Sequence, residues 1–142
     1  MKAIKRWKYY CDFCKKSGGN KGVVAAHEIS CTNNPNRVCK MCEVIGDTQP
    51  DLASMTAFVK KAVKDFVSYH EERGIKTYYW IIDREKPILD ELWELTDCHV
   101  CILSALRQSG FAFLFESFKF KEINDAFWHQ QRQDDEQRNF ID

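Results

Sequence analysis

The chain has 142 residues, 44% of them hydrophobic, and a formal net charge of zero, which fits one compact domain or a small module fused to a larger body. Ten phenylalanines and four tryptophans can supply a core, which excludes a disordered chain. No apolar run approaches the roughly 20 residues of a membrane-spanning helix, and the basic first ten residues lack the apolar stretch of a secretory signal.

The zero net charge hides two parts of opposite sign. Residues 1–40 contain nine basic and two acidic side chains, a net charge of +7, whereas the remainder has a net charge of −7. Such an asymmetry points to an anionic partner for the front of the chain. The alternative is that the two parts attract each other or only keep the protein soluble.

Five of the seven cysteines lie between residues 11 and 42. The first pattern is C-x2-C at Cys11 and Cys14, followed after twelve residues by H-x3-C at His27 and Cys31. A C-x2-C pair forms a tight turn that points two thiolates at one ion, and H-x3-C places two ligands one helical turn apart on one face. These four residues therefore predict a tetrahedral zinc site.

The second half of this pattern favours a helix. Asn20 is a suitable N-cap for a helix that runs through Cys31, and the Asn-Asn-Pro-Asn segment at residues 33–36 ends it.

Residues 9–31 resemble the C2H2 zinc finger, in a C2HC variant that has Cys31 in place of the last histidine. Tyr9 stands at the family's aromatic position before the first ligand, and Val24 at its apolar position before the histidine. The sequence departs from the family at Gly18, where a core aromatic is expected. The resemblance therefore implies an under-filled core that borrows packing from the rest of the chain.

The positions that read bases in this family are occupied by short or apolar residues, namely Asn20, Gly22, Val23 and Ala26. None of them can make the bidentate arginine–guanine contact that supplies most direct readout. We therefore expect phosphate contacts rather than sequence-specific binding in the major groove.

Residues 27–31 read H-E-I-S-C and differ by one residue from the H-E-x-x-H motif of zinc proteases. In that motif the glutamate acts as a general base beside an open metal position. Here Cys11 and Cys14 would close that position, which leaves no room for a catalytic water. A protease is therefore disfavoured.

A second C-x2-C pair at Cys39 and Cys42 needs two more ligands, and the remaining thiols are Cys98 and Cys101, also spaced C-x2-C. The latter pair opens a predicted helix, whose N-terminal dipole favours ionised sulfur. We expect one four-cysteine zinc site that joins the basic front to the rest of the chain. The seven thiols and His27 would then fill two tetrahedral zinc sites with nothing left over.

Three alternatives remain open for these thiols. Cys98 and Cys101 could form a redox pair, since C-x2-C at a helix N-terminus is also the thioredoxin arrangement. His99 could replace one cysteine as a ligand. Finally, Cys11 and Cys14 could share an ion with Cys39 and Cys42.

The rest of the chain reads as mainly helical. Apolar residues at spacings of three and four predict a helix over 51–73, capped at Asp47 or Thr48 and ended by Gly74, with His70 as a structural residue of its inner face. The aromatic and β-branched run 77–82 suggests a strand, with a buried helical turn as the competing interpretation. Further helices are predicted from Pro87, over 98–108 and over 122–133.

Two segments close the chain. Phenylalanines at 111, 113, 115, 118 and 120 form a short strand pair or an aromatic loop, for which core packing is favoured over base stacking. The polar tail that follows is expected to fray.

The predicted fold is α+β and mainly helical, with a basic zinc-binding module over 1–46 and a helical body with one or two short strands over 47–142. The predicted cofactor is two Zn²⁺ per chain. Paired cysteines at ligand spacing indicate a reducing, cytoplasmic setting and no membrane association.

We do not expect an enzyme or a small-molecule substrate, because the chain has no glycine-rich phosphate loop and every good metal ligand is used structurally. The favoured function is binding of nucleic acid with weak sequence specificity through the basic N-terminal finger, with DNA favoured over RNA. The candidate contacts are Arg6, Lys8, Lys15, Lys16, Lys21 and Arg37. The alternative is a protein-interaction adaptor or inhibitor in which zinc only stiffens the scaffold.

The cysteine run over 11–42 also looks like small uncharacterised zinc-finger proteins of bacteriophages. That resemblance implies a role in DNA metabolism or host takeover.

Overall fold

The computed structural model describes residues 1–80 and 84–141. Ten helices and strands follow in this part of the chain: β1 (Tyr9–Tyr10), β2 (Ser17–Gly18), α1 (Lys21–Ser30), α2 (Lys40–Ile45), α3 (Leu52–Phe66), β3 (Val67–Glu72), β4 (Ile75–Trp80), α4 (Glu85–Leu95), α5 (His99–Ser109) and α6 (Phe120–Ile141). The strands form two separate antiparallel hairpins, β1–β2 and β3–β4. The mainly helical α+β fold is thereby confirmed.

The main core lies where α4 and α5 pack against α3. Each helix contributes residues at spacings of three and four, as the sequence pattern predicts. The buried side chains are Leu52, Met55, Val59, Ala62 and Val63 of α3, Ile88, Leu89 and Leu92 of α4, and Ile102, Ala105 and Leu106 of α5. Because α5 also begins at Cys98, this core fixes the position of two predicted metal ligands.

The phenylalanine-rich segment after α5 folds as a short 3-10 turn over Ala112–Leu114 rather than as a strand pair. Phe115 is buried and packs edge-on against Trp80, with ring centroids 5.7 Å apart. The Trp80 indole N–H donates to the Leu114 carbonyl at 3.1 Å. Core packing by this segment is therefore confirmed, although Phe113 stays 58% exposed.

The predicted helix over 51–73 is wrong beyond Phe66, where the chain turns into strand β3. The hairpin closes at Arg73 and Gly74, whose φ angles are +54° and +80°. Two consecutive positive φ angles define the tight turn whose twist matches antiparallel strands. Gly74 thus serves a hairpin rather than a helix end, and His70 is an exposed strand residue rather than part of a buried face.

Other boundaries also differ. Strand β4 contains Thr77–Trp80 as predicted, and residues 81 and 82 lie outside the described residues. The polar tail predicted to fray is instead the end of α6, which runs to Ile141. Over the described ranges, no helix combines the length and hydropathy that a membrane span requires. The division of the chain near residue 46 stays a prediction.

The core assignment can be tested on one helix. Leu92 of α4 is fully buried, whereas Leu95 of the same helix is 57% exposed. We expect Leu92→Ala to lower the free energy of unfolding by about 2–5 kcal/mol because it leaves a cavity, and Leu95→Ala to change it by about 0.5 kcal/mol or less. Denaturant unfolding followed by circular dichroism in excess zinc measures both, and equal losses would contradict the packing described.

Candidate metal centres

The first cluster of ligands is built by the β1–β2 hairpin and helix α1. Cys11 and Cys14 lie in the loop between the two strands, while His27 lies in the last turn of α1 and Cys31 caps its end. The hairpin is held by pairing of Tyr9 with Gly18 and by the Cys11 N–H, which donates to the Lys16 carbonyl at 2.9 Å. The four ligand atoms lie within 4.8 Å of one another. We call them the first metal centre.

Backbone N–H groups support the thiols of the first metal centre. The Phe13 N–H donates to Cys11 Sγ and the Lys16 N–H donates to Cys14 Sγ, each at 3.4 Å. The Lys16 bond lowers the pKa of the Cys14 thiol, whereas burial raises the pKa of Cys31. Cys14 Sγ lies 3.2 Å from His27 Nε2, so sulfur and imidazole nitrogen face one point.

Helix α1 begins as the sequence predicts. The Asn20 side-chain oxygen accepts from the Val23 N–H at 3.2 Å and caps the helix. Val24 then packs on Cys11 and Cys31, with Tyr9 at the edge. This small core draws on local residues, and Val24 Cγ2 lies 3.6 Å from the point that a side chain at Gly18 would occupy. The expected packing from the rest of the chain is therefore not seen among the described residues at this position.

The second cluster joins two helix N-termini. Cys39 caps α2 through its sulfur and Cys42 lies in the first turn of α2, while Cys98 occupies the N-cap position of α5 and Cys101 lies in the first turn of α5. All four side chains are buried. Their sulfur atoms also lie within 4.8 Å of one another, and we call them the second metal centre.

Sulfur separations in the second metal centre match shared coordination. Cys39 Sγ lies 3.6 Å from Cys98 Sγ, and Cys42 Sγ lies 3.5 Å from Cys101 Sγ. A disulfide would need about 2.05 Å, whereas four sulfurs at about 2.3 Å from one tetrahedral ion lie about 3.8 Å apart. The cluster therefore has the dimensions of a four-thiolate metal site.

The environment of these thiols opposes charge unless a cation is present. Burial raises the pKa of Cys42 to about 12. Hydrogen bonds from Cys101 and Cys98 lower the pKa of Cys39. A bound divalent ion would favour the thiolate form of all four cysteines, and the N-terminal dipoles of α2 and α5 would add to that preference.

The grouping of the ligands follows the favoured prediction. The cross-braced alternative would place Cys39 and Cys42 beside Cys11 and Cys14, and the structure places them beside Cys98 and Cys101 instead. The proposed redox pair is likewise part of a four-thiol cluster.

His99 does not join the sulfurs. Its Nε2 lies 2.9 Å from Asn124 Oδ1, and its ring packs against the rings of Phe120 and Phe127, with both centroids 5.5 Å away. His99 therefore fastens α6 to α5.

Five of the six predicted nucleic-acid contacts are exposed: Arg6, Lys8, Lys15, Lys16 and Lys21. Arg37 is the exception, and its assignment to an exposed contact surface is wrong. Its side chain is 4% exposed, and its Nε and Nη2 each donate to the Ser30 carbonyl at 3.3 Å.

Two glutamines that sequence reasoning missed hold the segment between the centres. The Gln49 side chain accepts from the Cys39 N–H at 2.7 Å and donates to the Arg37 carbonyl at 2.9 Å. The Gln108 amide donates to the carbonyls of Thr32 and Asn34 at 2.9 and 3.0 Å. No motif marks either residue, because each acts only once distant segments have met.

Comparison of the chain with protein-family models, with curated proteins and with solved structures finds no match. The functional argument therefore rests on the two metal centres and the surface around them.

The ligand assignment predicts metal content residue by residue. We expect two ions per chain in the wild type and one ion per chain in each of His27→Ala and Cys98→Ser, because each substitution removes one of the four protein ligands that a structural zinc site uses. His70→Ala is the matched control, since this exposed histidine lies outside both clusters and its removal should leave two ions. Elemental analysis with native mass spectrometry gives the counts, and an unchanged count in Cys98→Ser would contradict the second metal centre.

Proposed function

We propose that the protein is a structural-zinc protein that binds nucleic acid through residues 1–31, which include β1, β2 and α1 and which we call the first unit. Thiolate and imidazole donors in groups of four suit Zn²⁺, and four protein ligands close the coordination sphere. A closed site contributes to folding rather than to chemistry. The order hairpin, then helix, with two ligands from each, supports the resemblance to a C2HC finger.

The observation that carries the nucleic-acid proposal is the surface of this unit, where exposed cations alternate with exposed aromatic rings. Trp7 is 83% exposed and Tyr10 is 62% exposed. Lys8 Nζ lies 5.5 Å above the Tyr10 ring, which places a cation beside an aromatic face. Cations contact phosphates, and open aromatic faces stack on unpaired bases.

Sequence-specific reading by α1 is not supported by its exposed face. The Asn20 side-chain oxygen already accepts the capping hydrogen bond of α1, and Val23 presents an apolar side chain that is 57% exposed. The contact we propose is therefore dominated by the nucleic-acid backbone. Stacking on Trp7 and Tyr10 makes single strands the preferred form.

A protein-interaction adaptor is the second candidate function. The specific observation in its favour is the β3–β4 hairpin, which exposes Tyr69, Ile75 and Tyr79 to 53%, 69% and 52%. Exposed aromatic and aliphatic residues on one hairpin suit a protein partner. In that case zinc only stabilises the scaffold.

The cations of the first unit should determine nucleic-acid affinity. If the five exposed candidates each neutralise one phosphate, the slope of log K against log salt should be roughly −4.5 on duplex DNA and roughly −3.5 on a single strand. Replacement of Lys15, Lys16 and Lys21 together by glutamate should weaken binding. Two contacts would remain, so the magnitude of the duplex slope should fall to roughly 2 or less. Fluorescence anisotropy at several salt concentrations measures both.

The matched control reverses Lys60, Lys61 and Lys64, three exposed lysines of α3. This variant should retain the wild-type affinity and slope. Binding that hardly changes with salt, or that falls equally in both variants, would remove the proposal and leave the adaptor as the better candidate.

Stacking can be separated from charge. Trp7→Ala should lower the affinity for an oligo(dT) strand roughly 5- to 150-fold, which corresponds to about 1–3 kcal/mol per stacked base, and should change duplex affinity much less. Trp128→Ala, which removes an exposed tryptophan from α6, is the control and should bind like the wild type. Equal affinity of Trp7→Ala and wild type for the single strand would eliminate stacking.

A further inference from the structure

Arg37 lies between the two metal centres and contacts both sides. Its Nη1 donates to Cys101 Sγ of the second metal centre at 3.8 Å, across a sequence separation of 64 residues. Its Nε and Nη2 donate to the carbonyl of Ser30, the residue immediately before the ligand Cys31. One planar guanidinium therefore connects a ligand of the second centre to the neighbour of a ligand of the first.

The guanidinium needs a negative partner because it is buried. An unpaired buried ion costs several kcal/mol. Among the described residues, the only cation–carboxylate pair within 4.0 Å is Lys86–Asp90, so no described carboxylate serves Arg37. The negative partner that Arg37 does contact is the four-cysteine cluster, through Cys101 Sγ, and four thiolates around a divalent ion carry a net charge of −2.

We infer that Arg37 is the counter-cation of the second metal centre and couples its occupancy to the first. A metal-bound dianion at the second centre holds the guanidinium, and the guanidinium holds the Ser30 carbonyl and thus the end of α1 that presents Cys31. The Gln49 bond to the Arg37 carbonyl keeps its backbone in place. Coupling of this kind is reciprocal, so each centre should strengthen metal binding at the other.

The charge assignment has an electrostatic signature in iron-substituted protein. Ferric iron with four thiolates carries −1 and ferrous iron carries −2, so a neighbouring cation favours the ferrous form. Arg37→Met should therefore shift the midpoint potential of the iron at the second centre to more negative values, since net charge and hydrogen bonds to sulfur set such potentials. Arg37→Lys, which retains the charge, should stay close to the wild type.

A purely structural role for Arg37 predicts the opposite sign. Looser packing would admit water, and water stabilises the more highly charged ferrous form, which raises the potential. Arg107→Met is the matched control: Arg107 is exposed and donates to Thr32 Oγ1 at 2.8 Å, so its loss weakens the same segment without touching a sulfur. Its potential should equal that of the wild type.

The coupling is tested by a double-mutant cycle on the zinc affinity of the first centre, measured by competition with a chelator. Cys98→Ser should weaken zinc binding at the first centre at least fivefold when Arg37 is present, the lower end of typical coupling, and should have little further effect on that affinity in Arg37→Met. If Arg37→Met fails to fold, the cycle uses Arg37→Lys, whose single ammonium cannot hold both Ser30 and Cys101 and should also abolish the coupling. An unchanged or raised potential in Arg37→Met, or zinc affinity of the first centre that Cys98→Ser leaves unchanged when Arg37 is present, would overturn the inference.

Discussion

The cluster of four cysteine sulfurs at Cys39, Cys42, Cys98 and Cys101 is the constraint on which the rest of the structure depends. It joins the N-termini of α2 and α5 across more than fifty residues of chain. Because α5 is embedded in the main hydrophobic core, the cluster ties the basic front of the protein to that core. Bringing distant segments of the chain together costs conformational entropy. The free energy of binding a metal ion at the cluster would offset that cost.

The first unit has little hydrophobic packing of its own. Its core consists of Val24, two cysteine ligands and two partly buried neighbours, which is small for an independent fold. Gln108, Gln49 and Arg37 supply the polar contacts that hold the segment between the centres against α5 and α2. This arrangement leaves most of the cations and the rings of Trp7 and Tyr10 in the first unit exposed on the surface.

The features that follow from local spacing were predictable from the sequence. The first four ligands, the Asn20 cap and the apolar faces of α3, α4 and α5 belong to this class, whereas the second group of ligands was expected only because Cys98 and Cys101 were the remaining thiols. The β3–β4 hairpin was not predictable because Val67 continues the helical spacing of α3 and Gly74 resembles a helix end, whereas pairing with β4 decides the outcome. Helix α2 was not predicted, because it spans only six residues and its N-cap is Cys39 rather than a residue type that commonly caps helices. The burial of Arg37 follows from a contact with Cys101, which no local pattern encodes.

Zinc K-edge X-ray absorption of the purified protein tests the central claim most directly. Seven thiolates and one imidazole around two ions predict an average first shell of about 3.5 sulfur and about 0.5 nitrogen atoms per zinc, with zinc–sulfur distances of about 2.3 Å. A shell that includes water oxygen, or a sulfur count near two, would contradict the picture of two closed centres that hold the chain together.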